Sequence, residues 1–353
     1  MTSLSVVDTE LTHALPKIEL HAHLTGSISR HCLHQVWQKK KSRDPDLALE
    51  DPLVTIPPGK VDFNVKTFFP LFSSYIYHLC DDLQSIIYTT ESVLQSFRED
   101  NVVYLELRTT PRAIPSNSIT EAQYVDVILH CITVSNNINE CTHTSTMQTN
   151  LILSVDRRNT LEEAYKVIDL AIVRKGKGVV GVDLCGNPEK GDIAIFRPAF
   201  ERAKEAGLGI TLHFAETRAS ATEDELRELL SWRPDRLGHV IHVNDDLRRE
   251  IVKRNIGVEL CLSCNVHAKL TEGSFEDHHF GWWKESGVGV AICTDDVGIF
   301  ESPISNEYQL AATHFHLSKV DLKKICESIV DITFANEREK FRLRSIYSNV
   351  DWG

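Results

Sequence analysis

His21 and His23 sit two residues apart at the end of an apolar run, KIEL. On a β-strand that spacing puts both imidazoles on one face, where they can converge on a single ion. The same spacing recurs at His314 and His316, but in a helix-like stretch where two such side chains diverge, and the adjacent His278 and His279 would splay on a strand. Alone, an H-x-H pair is as readily a pair of hydrogen-bonded histidines. Two further run ends carry donors: His213 in GITLHF and Asp295 after VGVAICT. Three imidazoles and a carboxylate suit a first-row divalent ion, zinc most naturally. Such a set leaves a position for water, which then loses a proton near neutral pH and becomes a hydrolytic nucleophile.

Cys261-Leu-Ser-Cys264 is a competing C-x-x-C pair. The zinc nucleobase deaminases combine H-x-E with P-C-x-x-C, and neither half is present. No second C-x-x-C closes a structural zinc ribbon, so these cysteines read as strand-end thiols beside Asn265.

The elements that must position these groups are short apolar runs alternating with amphipathic stretches. Candidate strands cover residues 17–21, 102–108, 151–155, 179–184, 209–214, 236–238, 257–260 and 288–293, and candidate helices include 160–174, 195–206 and 221–230. Strand followed by helix, repeated, implies parallel strands joined by right-handed crossovers. Eight strands in a chain of this length favour an α/β fold, a closed (β/α)8 TIM-type barrel with extra helices, over an open doubly wound sheet. Read to their C-terminal ends, the runs yield His21 and His23, Glu106 and Arg108, Asp156, Asp183, His213 with Glu216, His239, Asn265, and Asp295 with Asp296. In such barrels chemistry collects at that end. The whole chain, residues 1–353, reads as one domain, with the Pro- and Gly-punctuated stretch 39–66 as an insertion loop, since too few residues precede it for a separate core.

Composition bounds the partners. Among 353 residues, 38 basic side chains against 50 acidic leave a net charge of −12, which argues against a protein that coats a nucleic-acid backbone. No apolar run is long enough to span a membrane. The opening residues carry Asp8 and Glu10 and no basic start, unlike a secretory signal, and nine cysteines without a framework read as reduced thiols. The expectation is a cytoplasmic enzyme, monomeric or weakly associating.

The segments 15–27 (LPKIELHAHLTGS), His213-Phe-Ala-Glu216, Gly238-His239, Ser263-Cys-Asn265 and Cys293-Thr-Asp-Asp296, in that order, resemble the adenosine/AMP deaminase family of the metal-dependent amidohydrolase superfamily. The likeness extends over residues 15–305. More narrowly, LELRTTPR (105–112), SVDRR (154–158), GVDLCGN (181–187) and DHHF (277–280) are similar to the adenosine deaminase-like branch, whose members convert N6-methyl-AMP and related N6-alkyl purine monophosphates to IMP. The resemblance implies that His21, His23, His213 and Asp295 hold one zinc ion. It implies that Glu216 gives a proton to purine N1, that His239 orients the attacking water and stabilises charge, that Asp296 hydrogen-bonds the purine, and that Gly186 presents backbone to the base. His23 also faces the substrate in this reading.

Thr25 follows H-x-H-Leu where adenosine deaminases have Asp and the deaminase-like branch has Asn. A carboxylate there would repel a phosphate dianion, whereas a hydroxyl can donate to one. Arg112, after Thr109-Thr110-Pro111, is either a phosphate clamp or a surface arginine behind a turn. Asp156 contacts the ribose or orients Arg157 or Arg158. His78, after the Phe69-Pro-Leu-Phe72 pattern, is the candidate counterpart of a substrate-contacting histidine of the branch, slightly out of register. The expected activity is hydrolytic deamination of a purine nucleoside monophosphate at C6. The alternatives are an adenosine or adenine deaminase on the same machinery and an inactive purine-binding relative, the latter disfavoured because every ligand and the proton donor are retained. Two-metal amidase or phosphotriesterase chemistry would need a bridging lysine after the fourth strand, which is missing.

Overall fold

The eight apolar runs become eight parallel strands: β1 (Lys17–His23), β2 (Val102–Thr109), β3 (Gln148–Asp156), β4 (Val179–Cys185), β5 (Gly209–Phe214), β6 (Arg236–His239), β7 (Gly257–Leu260) and β8 (Val290–Ile292), paired in sequence order in one sheet. The structure, a computed structural model, describes residues 7–142 and 147–352. The strands pair from β1–β2 through β7–β8 in parallel register. Just past β8, Asp295 N donates to His21 O at 2.8 Å and His23 N donates to Asp295 O at 3.0 Å, closing the ring of strands at its C-terminal mouth. The seam of the barrel therefore falls on three of the groups that the sequence singles out.

Strand propensity and helix caps explain the alternation. β1 to β4 bury Ile18, Leu20, Leu105, Leu107, Leu151, Leu153, Val182 and Leu184. The helix Leu161–Arg174 starts at a reciprocal cap between Thr160 and Glu163, while Asn244 caps the helix Asp245–Lys253. The weak run at 236–238 is held as β6 by its neighbours and extends to include His239, because Arg236 is anchored by buried carboxylates on both sides. β8 is shorter than the run 288–293, and Asn265 lies on the helix Leu262–His267 rather than at a strand end. The stretch 39–66 is not loop throughout: the helix Arg30–Arg43 takes in its first residues and Pro52–Thr55 forms a further turn, with Trp37 Nε1 donating to Leu49 O at 2.8 Å to fold the segment onto that helix.

Charge occupies the barrel interior. Glu259 accepts from Arg236 Nε at 2.6 Å and Thr211 Oγ1 at 2.9 Å through one oxygen, and from Arg108 Nη2 at 2.9 Å through the other. Glu106 takes Arg236 Nη2 at 2.6 Å, and Asp183 lies 3.5 Å from Arg108 Nη1. All six side chains are fully buried. Such a network survives only when every charge is matched, since one unpaired buried ion costs several kcal/mol, about 3–5 when a partner is deleted. At the opposite, N-terminal end Phe334 plugs the barrel, its ring 3.7 Å from the Arg236 guanidinium. A Cβ at Gly181 or Gly209 would come within 2.8 or 2.5 Å of that ring, so both strands need glycine there. Among the described residues, no helix is long and apolar enough to cross a membrane.

Candidate metal centre and substrate cleft

The C-terminal strand ends gather five donor side chains. His21 comes from β1, His213 from β5, His239 from β6, and Asp295 from the seam after β8. Their donor atoms all lie within 4.8 Å of one another. His23 joins them, its Nε2 at 3.1 Å from His213 Nε2 and 3.4 Å from Asp295 Oδ1, while His21 Nε2 is 3.5 Å from the same oxygen. Donors about 2.0–2.1 Å from a tetrahedral zinc are about 3.3 Å apart, so these spacings are those of ligands around one ion. His239 Nε2 stands off slightly, 3.9 Å from Asp295 Oδ2.

The imidazoles are held from behind. His21 Nδ1 is 2.8 Å from Glu259 Oε2, His213 Nδ1 is 3.1 Å from Asp183 Oδ1, and His239 Nδ1 is 3.0 Å from Asn265 Oδ1. With each Nδ1–H donating to an oxygen, each Nε2 keeps its lone pair for the centre. The Nε2 atoms of His21 and His239 are buried and have no hydrogen-bond partner. Orphaned, inward-facing nitrogens of this kind are costly unless an ion or water completes them. The donor set therefore fits a divalent metal. Left-handed backbone at Ala215, His239 and Asp295, with φ of 52°, 64° and 60°, aims these groups inward, and such strain concentrates at working sites.

Acidic groups above the donors are tuned toward neutrality. Burial pushes the Glu216 carboxyl up to about 7, against the pull of His213. Asp296 is raised well above the carboxylate range by burial, then by Asp295 and Glu216 beside it. One Asp296 oxygen, Oδ1, is buried without a partner, and a Cβ at Gly26 would lie 1.4 Å from it, so only glycine leaves room for this carboxyl. By contrast, although burial opposes ionisation, Arg108 and Arg236 hold Glu259 well below its usual range. Burial drives the His239 imidazole down to about 3, leaving it neutral.

These groups open into a cleft whose empty space, counting the open solvent at its mouth, is about 900 Å³. His23, Thr25, Thr109, Thr110, Asp156, Gly186, His213, Glu216, Asp295 and Asp296 line it. His21 and His239 lie beneath, fully buried. Three sequence candidates fall outside. His78 is exposed and faces away from the cleft lining, and Pro111 does not reach it. Arg112 turns from the cleft altogether: its guanidinium donates to Cys80 O and, at 3.4 Å, to Tyr77 O, and stacks 4.7 Å from the Tyr77 ring. Its terminal nitrogens face backbone carbonyls rather than the cleft.

Sequence reasoning missed the outer wall. Phe68, Phe69, Phe72, Ser73 and Tyr77 come from a segment that runs as helix Val65–Leu71, one π-helical turn Phe72–Ile76 and a last helical turn Tyr77–Leu79. The dense aromatic spacing from Phe68 to Tyr77 was the available indication. Phe68 stacks on Phe300, ring centroids 5.7 Å apart, across the mouth. Arg158 also lines the cleft, whereas Arg157 points away, donating to Pro188 O at 2.9 Å and to Glu225. Asp156 orients Arg158 and not Arg157: Oδ1 accepts from Arg158 Nε at 2.8 Å and Oδ2 from Nη2 at 2.6 Å.

A parallel (β/α)8 barrel with a histidine–aspartate centre at its C-terminal mouth defines the class: a metal-dependent hydrolase barrel of the amidohydrolase type. The adenosine deaminase family model matches residues 16–350, and the chain belongs to that family. A zebrafish (Danio rerio) N6-methyl-AMP deaminase is 34% identical over 346 residues, covering 95% of each chain. The crystal structure of Arabidopsis N6-mAMP deaminase superposes with a TM-score of 0.88 at 33% identity, over 97% of this chain and all of that one. An Arabidopsis relative complexed with IMP matches at a TM-score of 0.87 and 33% identity, over 96% of this chain and 98% of that chain.

Proposed function

We propose that the chain hydrolyses the C6 amino or alkylamino substituent of a purine nucleoside monophosphate, N6-methyl-AMP foremost, releasing IMP and the amine. One zinc ion would be held by His21, His23, His213 and Asp295, within which the His23–His213, His21–Asp295 and His23–Asp295 spacings are 3.1–3.5 Å. Bound there, zinc supplies a Lewis acid and lowers the pKa of water toward neutrality.

The chain's own groups divide the remaining work. Glu216, kept protonated near neutrality by burial, gives its proton to purine N1, which makes C6 electrophilic. His239, with a neutral, unpartnered Nε2, is suited to orient the attacking water and stabilise charge as it adds. Its tautomer is set by Asn265. Asp296, a neutral carboxyl with one free oxygen, hydrogen-bonds the purine edge. Gly186, with φ of 97° and only 2.7 Å from Asp156 Oδ1 to a would-be Cβ, lets backbone approach the base. Thr25, Thr109 and Thr110 offer hydroxyls along the sugar and phosphate. The aromatic wall excludes bulk water, strengthening these interactions.

The observation that carries the reading is the meeting of a metal-fitting donor set and Glu216, whose carboxyl burial raises to about 7, in one cleft. The Arabidopsis relative with IMP, product of the proposed reaction, supports the substrate class. Described cysteines that are all unpaired and buried support a cytoplasmic enzyme of nucleotide metabolism, which we take to be monomeric. Steady-state turnover of N6-methyl-AMP, adenosine and adenine by the purified chain tests it. Preference for the monophosphate is expected, and equal or better use of adenosine overturns it.

A further inference from the structure

Two arginines line the cleft among the described residues, and Arg158 is the one whose side chain is exposed at its margin. Arg108 is fully buried at the floor, bonded to Glu259 and 3.5 Å from Asp183. Arg112 and Arg157 give their terminal donors to backbone carbonyls and Glu225.

A guanidinium has two usable edges. The Nε–Nη2 edge of Arg158 lies flat against Asp156, and the backbone N–H of Arg158 donates to the same carboxylate at 2.8 Å. The Nη1–Nη2 edge remains open, and the side chain is 52% exposed at the cleft margin. Asp156 is itself buried, backed by its own N–H donating to Asn159 Oδ1 at 2.9 Å and pressed on Gly186. The arginine is thus held in a fixed orientation before any ligand arrives, which reduces the entropy lost on binding. Thr110 lines the same margin; its hydroxyl has only a 3.5 Å contact with Cys185 Sγ and is available to donate.

We propose that Arg158, oriented by Asp156, is the phosphate-recognition residue, its open Nη1–Nη2 edge taking two oxygens of the 5′-phosphate with Thr110 donating a third bond. This rests on the monophosphate reading above and names the group that enforces it. The open edge matches phosphate in a forked geometry that an ammonium cannot reproduce. Asp156 is then a positioning residue: with both oxygens engaged by Arg158, it acts through the arginine.

The test is the ratio of kcat/KM for N6-methyl-AMP to that for N6-methyladenosine, measured on metal-loaded wild type, Arg158→Ala, Arg158→Lys and Asp156→Asn. For Arg158→Ala the ratio falls about 10- to 100-fold, the range of a charge-assisted bond pair. Arg158→Lys recovers part of it, because charge returns without the fork. In Asp156→Asn the ratio moves the same way as in Arg158→Ala, a change in phosphate discrimination that loss of fold alone would not produce. A wild type that favours the monophosphate, together with an unchanged ratio in Arg158→Ala, overturns this assignment and leaves the proposed function standing. A wild type with no preference for the monophosphate overturns both. Melting temperatures and zinc content of each variant, matched to wild type, separate recognition from misfolding.

Discussion

Glu259 Oε2 lies 2.8 Å from His21 Nδ1 and accepts Arg108 Nη2 at 2.9 Å, so one buried carboxylate oxygen joins the candidate metal centre to the charge network of the barrel interior. Through its other oxygen Glu259 also takes Arg236 and Thr211. The orientation of a proposed ligand is therefore set by the same residue that balances two arginines.

Replacing Glu259 by Gln turns one of its two accepting oxygens into a donor, so either His21 or Arg236 loses its acceptor, and the lost charge unbalances Arg108 and Arg236. Partners behind ligands typically contribute 10- to 100-fold in metal affinity. Competition with a chelating indicator should show weakening of about that size, with a stability loss of roughly 3–5 kcal/mol by denaturant melt. An affinity equal to wild type would show that His21 does not depend on Glu259.

Glu216→Gln keeps the shape of the carboxyl but not its titration. kcat should fall about 10²- to 10⁴-fold while zinc content is retained. Because the working form is the protonated acid, the wild-type rate declines on the alkaline side as that proton is lost, a limb Glu216 contributes. The stability sign follows from the same shift. A carboxyl raised to about 7 in the folded chain costs nothing below its unfolded value, a growing amount as pH climbs from there to about 7, and a constant amount above that. Metal-free Glu216→Gln should accordingly melt higher than metal-free wild type at pH 8, with the gap closing near pH 4. Equal melting at pH 8 would argue that Glu216 is not destabilised by its burial.

Asp296 is a neutral carboxyl in this account, so Asn should replace it better than Ala. We expect Asp296→Ala to lower kcat/KM at least about 10-fold more than Asp296→Asn, the cost of a buried hydrogen bond left unmade. Gly26→Ala drives a methyl into Asp296 Oδ1, where only 1.4 Å is available, and should raise KM as severely as Asp296→Ala. Both are read from steady-state kinetics. Identical losses in the Asn and Ala variants would remove the neutral-donor role.

Arg112 ties the 65–80 segment to the barrel through Tyr77 O and Cys80 O. Arg112→Ala should speed amide hydrogen exchange across that segment and raise KM for phosphorylated and unphosphorylated substrates alike, by about the same several-fold factor. A selective loss on the monophosphate would restore the clamp role that the sequence suggests.

Much of this was legible beforehand because the barrel writes its chemistry at strand ends. His21, His23, His213, His239 and Asp295 each follow an apolar run, and the parallel topology forces those ends together. What was less legible has physical causes. β6 carries little strand propensity, and its register is imposed by Arg236 pairing across the interior. Asn265 sits on a helix after β7, so its contact with His239 is tertiary and leaves no local pattern. Glu106 and Glu259 interrupt buried strands, which marks them as paired charges without saying with what. Arg112 illustrates the limit most clearly: its position after Thr-Thr-Pro suggests a phosphate contact, yet carbonyls at the end of a distant helical segment capture it. Arg158 adjoins Asp156, and only the fold shows which of two neighbouring arginines faces the cleft.

The central claim is that one ion on these residues makes the barrel an aminohydrolase for purine monophosphates. It is tested most directly by titrating zinc into metal-stripped protein while following conversion of N6-methyl-AMP to IMP. The account predicts negligible activity at the start, a linear rise and a break at one zinc per chain. Full activity without added metal in demonstrably stripped protein, or a break at two, would contradict it.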